Sequence, residues 1–264
     1  MIANVLSIAG SDPSGGAGIQ ADIKAISANG AYAMAAITGL TAQNTQGVSA
    51  VSLMSPGFVA AQIDALRADI RLDAIKVGML GNAAIMRAVV AALEGCAAPI
   101  VLDPVMVAKG GDRLLARDAV AVLRDLVLPR ASVITPNLPE AADLLGQAEA
   151  RDADEMLRQA DALRGLGARA VLLKGGHLPG AQSRDLLLCA SGPTWLEHAR
   201  IETPNTHGTG CTLSAALATY LAQNLPMDQA VARAKDHVTG AIAAADRLDV
   251  GHGHGPTHHF HALW

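Results

Sequence analysis

The sequence predicts an α/β protein with a mostly parallel sheet, for three reasons. Short apolar segments that read as strands alternate with longer segments of helical periodicity along the 264 residues. Hydrophobic residues make up 51% of the chain and charged residues 17%, so a large core is expected and disorder is not. Neither a Pro/Ser-rich linker nor an internal repeat divides the chain, which predicts one domain over residues 1–264. Strands that alternate with helices typically form right-handed βαβ units around such a sheet.

The first half of the chain contains five strand-like and three helix-like segments. Its apolar runs predict strands at 5–9, 33–42, 48–54, 74–79 and 99–106. Its periodic segments predict helices from about Ala17 to Asn29, where Gly30 is the stop signal, and over 56–70 and 82–94. The second of these helices places four apolar residues on or near one face: Phe58, Ile63, Leu66 and Ile70.

The second half continues the alternation and adds a hairpin. Strands are predicted at 132–136 and 170–177, and a hairpin joins 184–190 to 193–199 across Ser191 and Gly192. Helices are predicted near 118–126, 138–145 and 152–166, and two Ala-rich helices follow at about 209–223 and 227–247.

Composition argues against several classes of function. Aromatic residues are only 2% and the net charge is -4, so neither base stacking nor a basic face supports nucleic-acid binding. No apolar run reaches about 18 residues, so no membrane span is expected. The Gly-rich start lacks the basic region of a signal peptide. Three widely spaced cysteines, Cys96, Cys189 and Cys211, suggest reduced thiols and predict a cytoplasmic protein.

Polar residues follow many of the predicted strands and their connecting loops. They are Asp12, Gln43, Asp103, Asn137, Lys174 and the loop 206–211. In an open α/β sheet, ligands bind beyond the carboxyl ends of the strands. We therefore expect these residues to converge on one edge of the sheet, which is a stronger signal than any one of them alone.

The glycine-rich segment "GSDPSGGAGIQAD" (10–22) follows the first strand. It contains the pattern G-x-G-x-x-A, but no acidic residue stands about 20 positions further on, so a dinucleotide site is disfavoured. Two interpretations stay open: a glycine turn without function, or a close-fitting lid or floor for a small substrate. Asp22 in this segment also fits a simple charge in the first turn of a helix.

The segment "TAQNTQGV" (41–48) places Gln43, Asn44 and Gln46 in a predicted loop. Side-chain amides carry both donors and acceptors, which suits the edge of a polar heterocycle. An ordinary polar loop is the alternative.

Two carboxylates and a lysine follow later strands. Asp103 ends a strand, Glu140 stands at a helix start, and both suit Mg²⁺ held through water. Glu140 also fits a capping box with Asn137 as the N-cap residue, and both roles are compatible. Lys174 follows an apolar strand and can reach a polyphosphate, although no Walker A motif is present and a surface lysine is the alternative.

The stretch "THGTGCTLSAAL" (206–217) combines Gly208 and Gly210 with an Ala-rich helix. Open N–H groups at a helix start bind anions, and Thr209 adds a hydroxyl, so this stretch predicts an anion cradle with Cys211 at its centre.

Two further segments remain ambiguous. The histidine-rich end, "GHGHGPTHHFH" (251–261), suggests zinc, but no cysteine lies nearby, and a tail folded onto the body is favoured. The segment 108–115, with its glycine pair, predicts either a mobile flap or a plain surface loop.

The motifs occur together in a pattern that resembles the bacterial hydroxymethylpyrimidine/phosphomethylpyrimidine kinases of thiamine biosynthesis. The matching stretches are "IAGSDPSGGAGIQADIK", "TAQNTQGV", "KVGML", "VLDPVM", "TPNLPEA", "LLKGGH", "NTHGTGCTLSAA" and "GPTHHFHALW". The resemblance implies a ribokinase-like three-layer αβα sandwich and a homodimer. It also implies ATP- and Mg²⁺-dependent phosphorylation of 4-amino-5-hydroxymethyl-2-methylpyrimidine, first to the monophosphate and then to the pyrophosphate.

The resemblance also implies roles for individual residues. Gln43 would hold the pyrimidine edge, surrounded by Gly10, Ala17, Asp22, Met79 and Val105. Asp103 and Glu140 would lie near Mg²⁺. The residues expected near ATP are Lys174, Asn137, Lys235 and Thr209. Gly208, Gly210 and Cys211 would form the anion hole and the catalytic position.

Cys211 stands where wider ribokinase-like sugar kinases carry an aspartate base. A free thiol has a pKa of about 8.5, and a helix N-terminus favours the thiolate, so Cys211 is expected to act as general base near neutral pH. Against this, phosphoryl transfer relies mostly on positioning and charge stabilisation, and the neighbouring amides can matter more than the sulfur. The second transfer starts from an anionic oxygen, so Cys211 is expected to matter less there.

Two other functions remain open. A pyridoxal kinase also phosphorylates a hydroxymethyl heteroaromatic compound, although the 41–48 segment and the tail favour the pyrimidine. A pyrimidine-binding sensor that has lost catalysis is the alternative from another class.

Overall fold

The structure is a computed structural model that describes residues 1–106, 115, 117–176 and 178–264, with the side chains of 117 and 118 excepted. Residues 108–114 of the predicted flap, and the last residue of the strand predicted at 170–177, lie outside the described residues.

In the described part of the chain, nine strands form one sheet. They are β1 Asn4–Ser11, β2 Tyr32–Asn44, β3 Gly47–Leu53, β4 Ala74–Val77, β5 Ile100–Leu102, β6 Val133–Ile134, β7 Val171–Lys174, β8 Gln182–Cys189 and β9 Gly192–Ala199. Their order across the sheet is β3-β2-β1-β4-β5-β6-β7-β8-β9. The central strands from β2 to β7 pair in parallel, and β3, β8 and β9 join as antiparallel edge strands. The predicted α/β class and mostly parallel sheet are confirmed.

Within the described residues, eight α-helices connect or cover these strands. They are α1 Gly18–Ala28, α2 Pro56–Asp69, α3 Ala83–Ala92, α4 Arg117–Val122, α5 Leu138–Leu145, α6 Ala153–Gly165, α7 Thr209–Ala222 and α8 Met227–Ala243. A π-helical turn at Leu123–Val127 continues α4, and short 3₁₀ turns follow at Leu128–Arg130 and Ala245–Arg247. Among the described residues, no helix is long and apolar enough to cross a membrane.

Local sequence explains where several helices begin. The hydroxyl of Ser55 accepts a hydrogen bond from the Phe58 amide, and Pro56 occupies the first turn of α2. Asn82 and Asp152 cap α3 and α6 in the same way. These side chains satisfy amides that the first helical turn leaves open, so the boundaries follow from the chain itself.

The sheet separates two apolar cores and gives the fold three layers. One core packs α2 to α6 against one face, with Ile8, Ile63 and Leu128 fully buried. The other packs α1, α7 and α8 against the opposite face around Leu217 and Val231. Both faces of the central strands are therefore covered, as parallel sheets require.

Two local predictions are wrong. Gln43 and Asn44 lie on β2, which pairs with β3 through Asn44 and Gly47, so the polar segment is a tight hairpin instead of a loop. Phe58 was expected on the apolar face of α2, but it is 59% exposed while Val59 and Ile63 fill that face. The helical period alone does not distinguish a buried stripe from an exposed residue beside it.

Candidate active site

A cavity with a volume of about 770 Å³ lies beyond the carboxyl ends of the strands. Strand order reverses between β1 and β4, and such a switch point is where open α/β sheets bind ligands. Ser11, Asp12 and Met79 line the cavity at this point, directly after those two strands.

The cavity brings together nearly all the residues that the sequence proposed. Those on its wall are Gly10, Ala17, Gln43, Met79, Asp103, Val105, Asn137, Glu140, Lys174, Gly208, Thr209, Gly210, Cys211 and Lys235. Asp22 is the exception, because it is fully buried and does not line the cavity.

Asp22 lies beneath the cavity in a sealed ion pair. Its two carboxylate oxygens lie 2.9 Å and 2.8 Å from the Lys76 ammonium, and the Ser7 hydroxyl donates to it at 2.6 Å. Burial would lower the pKa of the Lys76 ammonium, but the Asp22 carboxylate outweighs burial and holds that pKa above its usual value. Asp22 is therefore neither a first-turn surface charge nor a residue of the cavity wall.

The first turn of α7 forms one wall of the cavity. Gly208 is the N-cap residue at φ 77°, where a side chain would be strained and would overlap the carbonyl of Gly16. Among the described residues, no side chain caps this helix. Open amides and the helix dipole then face the cavity, which is the geometry of an anion site.

Lys174 lies between two carboxylates beside that wall. Its ammonium is 3.1 Å from Asp103 and 4.0 Å from Glu140, and a Cβ added at Gly210 would lie 3.3 Å from the same nitrogen. Burial would lower the pKa of Lys174, but Asp103 and Glu140 raise it above its usual value. The lysine is 16% exposed and lines the cavity, so the alternative of a snorkelling surface lysine does not hold.

The pKa values of the two carboxylates shift in opposite directions. Burial would raise the pKa of Asp103, but Lys174 and Lys76 outweigh it and hold the pKa below its usual value. Burial raises the pKa of Glu140 to about 7, against the pull of Lys174. The neighbouring charge of Asp103 adds to this rise.

Glu140 also completes the capping box. Its carboxylate accepts from the Asn137 amide at 2.8 Å, and the Asn137 side chain accepts from the Glu140 amide at 2.8 Å. The capping role is confirmed, and the second carboxylate oxygen leaves room for a further contact.

Within the described part of the chain, no group of three or more His, Cys, Asp or Glu side chains forms a metal-binding cluster. Asp103 and Glu140 nevertheless supply the oxygen ligands that Mg²⁺ prefers. Mg²⁺ commonly binds through one or two carboxylates, its own waters and substrate phosphates, so the residues present fit this ion.

Cys211 does not have the thiolate that its helix position led us to expect. Burial raises the pKa of the thiol to about 11. Lys76 lowers it, whereas Asp22 and Asp103 raise it further. The expectation of a thiolate near neutral pH is therefore contradicted, because desolvation and two nearby carboxylates outweigh the helix end.

Lys235 lies at another part of the same wall, on α8. Its ammonium is 2.6 Å from Asp185 and 3.2 Å from the Ser183 hydroxyl, both on β8. Asp185 also accepts from the Gly175 amide at 2.9 Å, so it links the end of β7 to the lysine.

Two of the cavity residues that sequence reasoning missed are Lys76 and His207. Lys76 interrupts the apolar strand "AIKVGM", and a lysine at such a position is itself a signal of a buried partner. His207 lies in the recognised loop, but its importance depends on Asp12, which is 195 positions away. Sequence spacing gives no indication of that pair.

The C-terminal segment folds onto the body, as expected. Residues 255–259 are buried, and His258 donates its amide to the Ala241 carbonyl at 2.9 Å. Burial lowers the pKa of His259 to about 3 and that of His237 to about 4, so both rings stay neutral near pH 7.

A sequence model of the phosphomethylpyrimidine kinase family matches residues 12–258. The hydroxymethylpyrimidine/phosphomethylpyrimidine kinase of Escherichia coli (strain K12) is 53% identical over 262 residues, which cover 99% of this chain and 98% of that protein.

Two solved structures of kinases are similar to this chain over most of its length. A phosphomethylpyrimidine kinase from Clostridium difficile has a TM-score of 0.80 at 40% identity, covering 92% of this chain and all of that one (100%). An ADP complex of Bacillus subtilis pyridoxal kinase has a TM-score of 0.90 at 36% identity, covering 98% of both chains. The fold and the cavity define a ribokinase-like small-molecule kinase. The chain belongs to the phosphomethylpyrimidine kinase family.

Proposed function

We propose that the protein transfers a phosphoryl group from ATP to 4-amino-5-hydroxymethyl-2-methylpyrimidine and then to the resulting monophosphate, as a step of thiamine biosynthesis. One observation carries this proposal. One continuous cavity joins an amide-lined end, at Gln43, to an anion-binding end, at the start of α7. The 53% identity to a hydroxymethylpyrimidine/phosphomethylpyrimidine kinase supports the choice of substrate.

In this proposal the heterocycle binds between β1, β2 and β4. Gln43 presents its amide to the ring edge, and Gly10, Ala17, Met79 and Val105 form the surrounding wall. Met79 and Gly10 pack so closely that a Cβ at Gly10 would overlap the Met79 methyl group. Gly10 therefore keeps open the space beside Met79, which we call the slot and assign to the aromatic ring. Asp22 supports the slot from below through Lys76 and has no direct contact with substrate.

The phosphates of ATP bind at the other end. Lys174, Lys235, Asn137 and Thr209 line that part of the cavity, and Asp103 and Glu140 would hold Mg²⁺ there. Bound Mg²⁺ supplies positive charge to the phosphates, while the lysines and the α7 amides act on the same oxygens. Glu140 must lose its proton to take part, and a nearby cation favours that loss.

Transfer occurs at the start of α7, where the amides of Gly208, Gly210 and Cys211 would stabilise the charge on the moving phosphoryl group. The Cys211 thiol enters this step neutral, because its pKa is about 11. Its main role is to position the reacting oxygen, and it does not take the proton of the substrate hydroxyl early in the step. Phosphoryl transfer depends chiefly on positioning and charge stabilisation. The second transfer needs no deprotonation, because its nucleophile is a phosphate oxygen.

The test is a transfer assay with the purified chain, ATP, Mg²⁺ and hydroxymethylpyrimidine, with the products separated by mass. Monophosphate followed by pyrophosphate is the expected result. Pyridoxal is the control substrate, because the chain also resembles a pyridoxal kinase in fold. Faster turnover of pyridoxal would replace the proposed substrate, and pyrimidine binding without ATP consumption would favour a sensor.

We also propose a cytoplasmic homodimer. Five apolar side chains on the β2–β3 hairpin and nearby are 38% to 59% exposed, which supports a covered face: Tyr32, Leu40, Val51, Leu53 and Phe58. Light scattering would give twice the chain mass for a dimer and the chain mass for a monomer.

A further inference from the structure

Arg200 follows β9 and lies on the wall of the cavity. Its guanidinium donates to four carbonyl oxygens in the β7–β8 connection (residues 175–181, described except at 177) and at the first residue of β8. Nε donates to Gly180 at 2.8 Å, and Nη1 donates to Gly176 at 2.9 Å. Nη2 donates to Leu178 at 2.6 Å and to Gln182 at 3.4 Å. One side chain therefore binds carbonyls from the beginning to the end of this connection.

The main chain adds contacts that do not depend on the guanidinium. The Arg200 amide donates to the Ala181 carbonyl at 2.8 Å, and the Leu178 amide donates to the Gly175 carbonyl at 2.9 Å. The first of these bonds fixes the backbone of Arg200 whichever side chain it carries. A substitution at this position therefore removes the four guanidinium contacts and leaves the backbone contact in place.

The start of the connection is held separately, by β8. Asp185 accepts from the Gly175 amide at 2.9 Å and from the Lys235 ammonium at 2.6 Å. A Cβ at Gly175 would overlap the Arg184 carbonyl, so this glycine packs directly against the backbone of β8. The connection is therefore fixed at its start, while the residues beyond it depend on the guanidinium.

Arg200 differs from the lysines of the cavity wall in its partners. The lysines and arginines that line the cavity in the described chain are Lys76, Lys174, Lys235 and Arg200. Each of the three lysines pairs with an aspartate, at 2.8 Å, 3.1 Å and 2.6 Å respectively. Arg200 gives its hydrogen bonds to backbone carbonyls, and among the described residues its guanidinium forms no ion pair. Its positive charge therefore faces carbonyl dipoles and is not cancelled by a carboxylate.

This arrangement suits a wall that receives an anion. Gly176 lines the cavity two positions after Lys174, at the end assigned to the phosphates of ATP. Carbonyl oxygens that face phosphate oxygens across a shared space repel them. The guanidinium occupies these carbonyls with charge-assisted hydrogen bonds, and its positive charge offsets their negative ends.

We propose that Arg200 is a positioning residue for the nucleotide, whose guanidinium holds the β7–β8 connection as one wall of the nucleotide end and so sets the affinity for ATP and ADP. The proposal rests on the proposed function, in which the phosphates of ATP bind at this end. A guanidinium offers five N–H donors in a rigid planar fork, whereas a lysine ammonium acts as a single point of charge. A lysine at this position would keep the charge but could not reach all the carbonyls around the fork.

The test compares Arg200→Lys, which keeps the charge and loses the fork, with Arg200→Met, which loses both. We expect each variant to bind ADP about tenfold more weakly than the wild type, from loss of charge-assisted hydrogen bonds. Isothermal titration calorimetry on the purified chain, without pyrimidine, measures this affinity. In steady-state kinetics the KM for ATP should rise by a similar factor. The KM for hydroxymethylpyrimidine and the kcat at saturating ATP should change by less than about twofold.

Amide hydrogen exchange gives a local readout that a general loss of stability would not reproduce. The peptide over residues 175–182 should exchange faster in both variants than in the wild type, while peptides from α2 and α3 exchange as before. Bound ADP should slow the exchange of the 175–182 peptide in the wild type, because this segment forms a wall of the nucleotide end.

Arg184→Met is the matched control, because it removes an arginine from the same hairpin. Arg184 on β8 pairs with Glu197 on β9 at 2.8 Å, both side chains are about half exposed, and Arg184 does not line the cavity. Exposed ion pairs contribute little to stability. The ADP affinity of this variant and the exchange of its 175–182 peptide should therefore match those of the wild type.

Three results would overturn the proposal: wild-type ADP affinity in Arg200→Met, wild-type affinity in Arg200→Lys, which would show that charge alone acts, or an equal rise of both KM values. Arg200→Lys keeps the test decisive if Arg200→Met does not fold. A wild-type chain that binds ADP but leaves the pyrimidine unphosphorylated would refute the proposed substrate and not this inference. A wild-type chain that binds no ADP would refute the nucleotide end and this inference with it.

Discussion

Two lysine–aspartate pairs lie at the same edge of the sheet and differ in their access to solvent. In the pair of Lys76 and Asp22, both side chains are fully buried at 0% exposure. In the pair of Lys174 and Asp103, the lysine is 16% exposed and opens onto the cavity. The N–O distances are similar, at 2.8 Å and 3.1 Å. Distance therefore does not distinguish the pairs, whereas their surroundings do.

The difference shows how one kind of ion pair serves two purposes. The Lys76 ammonium contacts both carboxylate oxygens of Asp22, and the Ser7 hydroxyl donates a further hydrogen bond to the same carboxylate. Lys174 has a second carboxylate, Glu140, within 4.0 Å and an open side toward the start of α7. A sealed pair supports the floor of the cavity, and an open pair can exchange its partner for a phosphate oxygen.

The largest expected effect is on stability, at the sealed pair. Lys76→Met leaves the Asp22 carboxylate buried without its cation, so the free energy of unfolding should fall by about 3–5 kcal/mol. Urea denaturation followed by circular dichroism measures this fall. Adding Asp22→Leu should recover part of the loss, because it removes the unpaired charge. A Lys76→Met variant as stable as the wild type would show that the pair is not structural.

A substitution in the open pair should reduce activity more than it reduces stability. Lys174→Met is expected to lower kcat about 100-fold or more, by removal of a charge that acts on the transferring phosphoryl group. Its loss of stability should be smaller than that of Lys76→Met, since Asp103 keeps contacts with Thr135 and Ser214. Steady-state kinetics and denaturation of both variants check the contrast. Equal losses of stability in the two variants would remove the distinction between the pairs.

Glu140 should make stability depend on pH near the open pair. The pKa of Glu140 in the folded protein is about 7, above the ordinary value of 4.5, so the folded state holds this proton more tightly than the unfolded state does. The resulting contribution to the free energy of unfolding is complete below pH 4.5 and is lost as the pH rises through 7. Without nucleotide or Mg²⁺, this loss should be about 3 kcal/mol. Glu140→Gln keeps the capping box and should lack this pH dependence. Urea denaturation at pH 5 and pH 8 gives the free energy of unfolding of the wild type and of Glu140→Gln. An equal change between the two pH values in both proteins would contradict the raised pKa of Glu140.

Cys211 should show the smallest effect, because its thiol is neutral at working pH. Cys211→Ser is expected to keep turnover within about tenfold of the wild type, which is below the usual range for a lost general base. Any loss should be larger for the first transfer than for the second. The measurement is kcat for each step between pH 6 and pH 9. A 100-fold fall confined to the first step would restore the base role.

The elements were largely predictable because local rules set them. The capping residues Asn137 and Asp152 mark their helices, and apolar runs mark the buried strands. Gln43 was assigned to a loop because its segment is polar, and only pairing with β3 makes it a strand. The polar residues at this end of the hairpin lack the apolar pattern that marks a strand, so the pairing of Gln43 with Val48 is not evident from the sequence.

The sequence by itself determined the α/β class, the convergence of polar residues on one sheet edge and the membership of the family. These depend on periodicity and on motifs, which are local. The tertiary structure alone decided that Asp22 lies under the cavity, that Lys76 and His207 belong to the site, and that burial raises the pKa of the Cys211 thiol. Each of these depends on burial and on charges brought together from distant parts of the chain, and residue type alone does not fix either quantity.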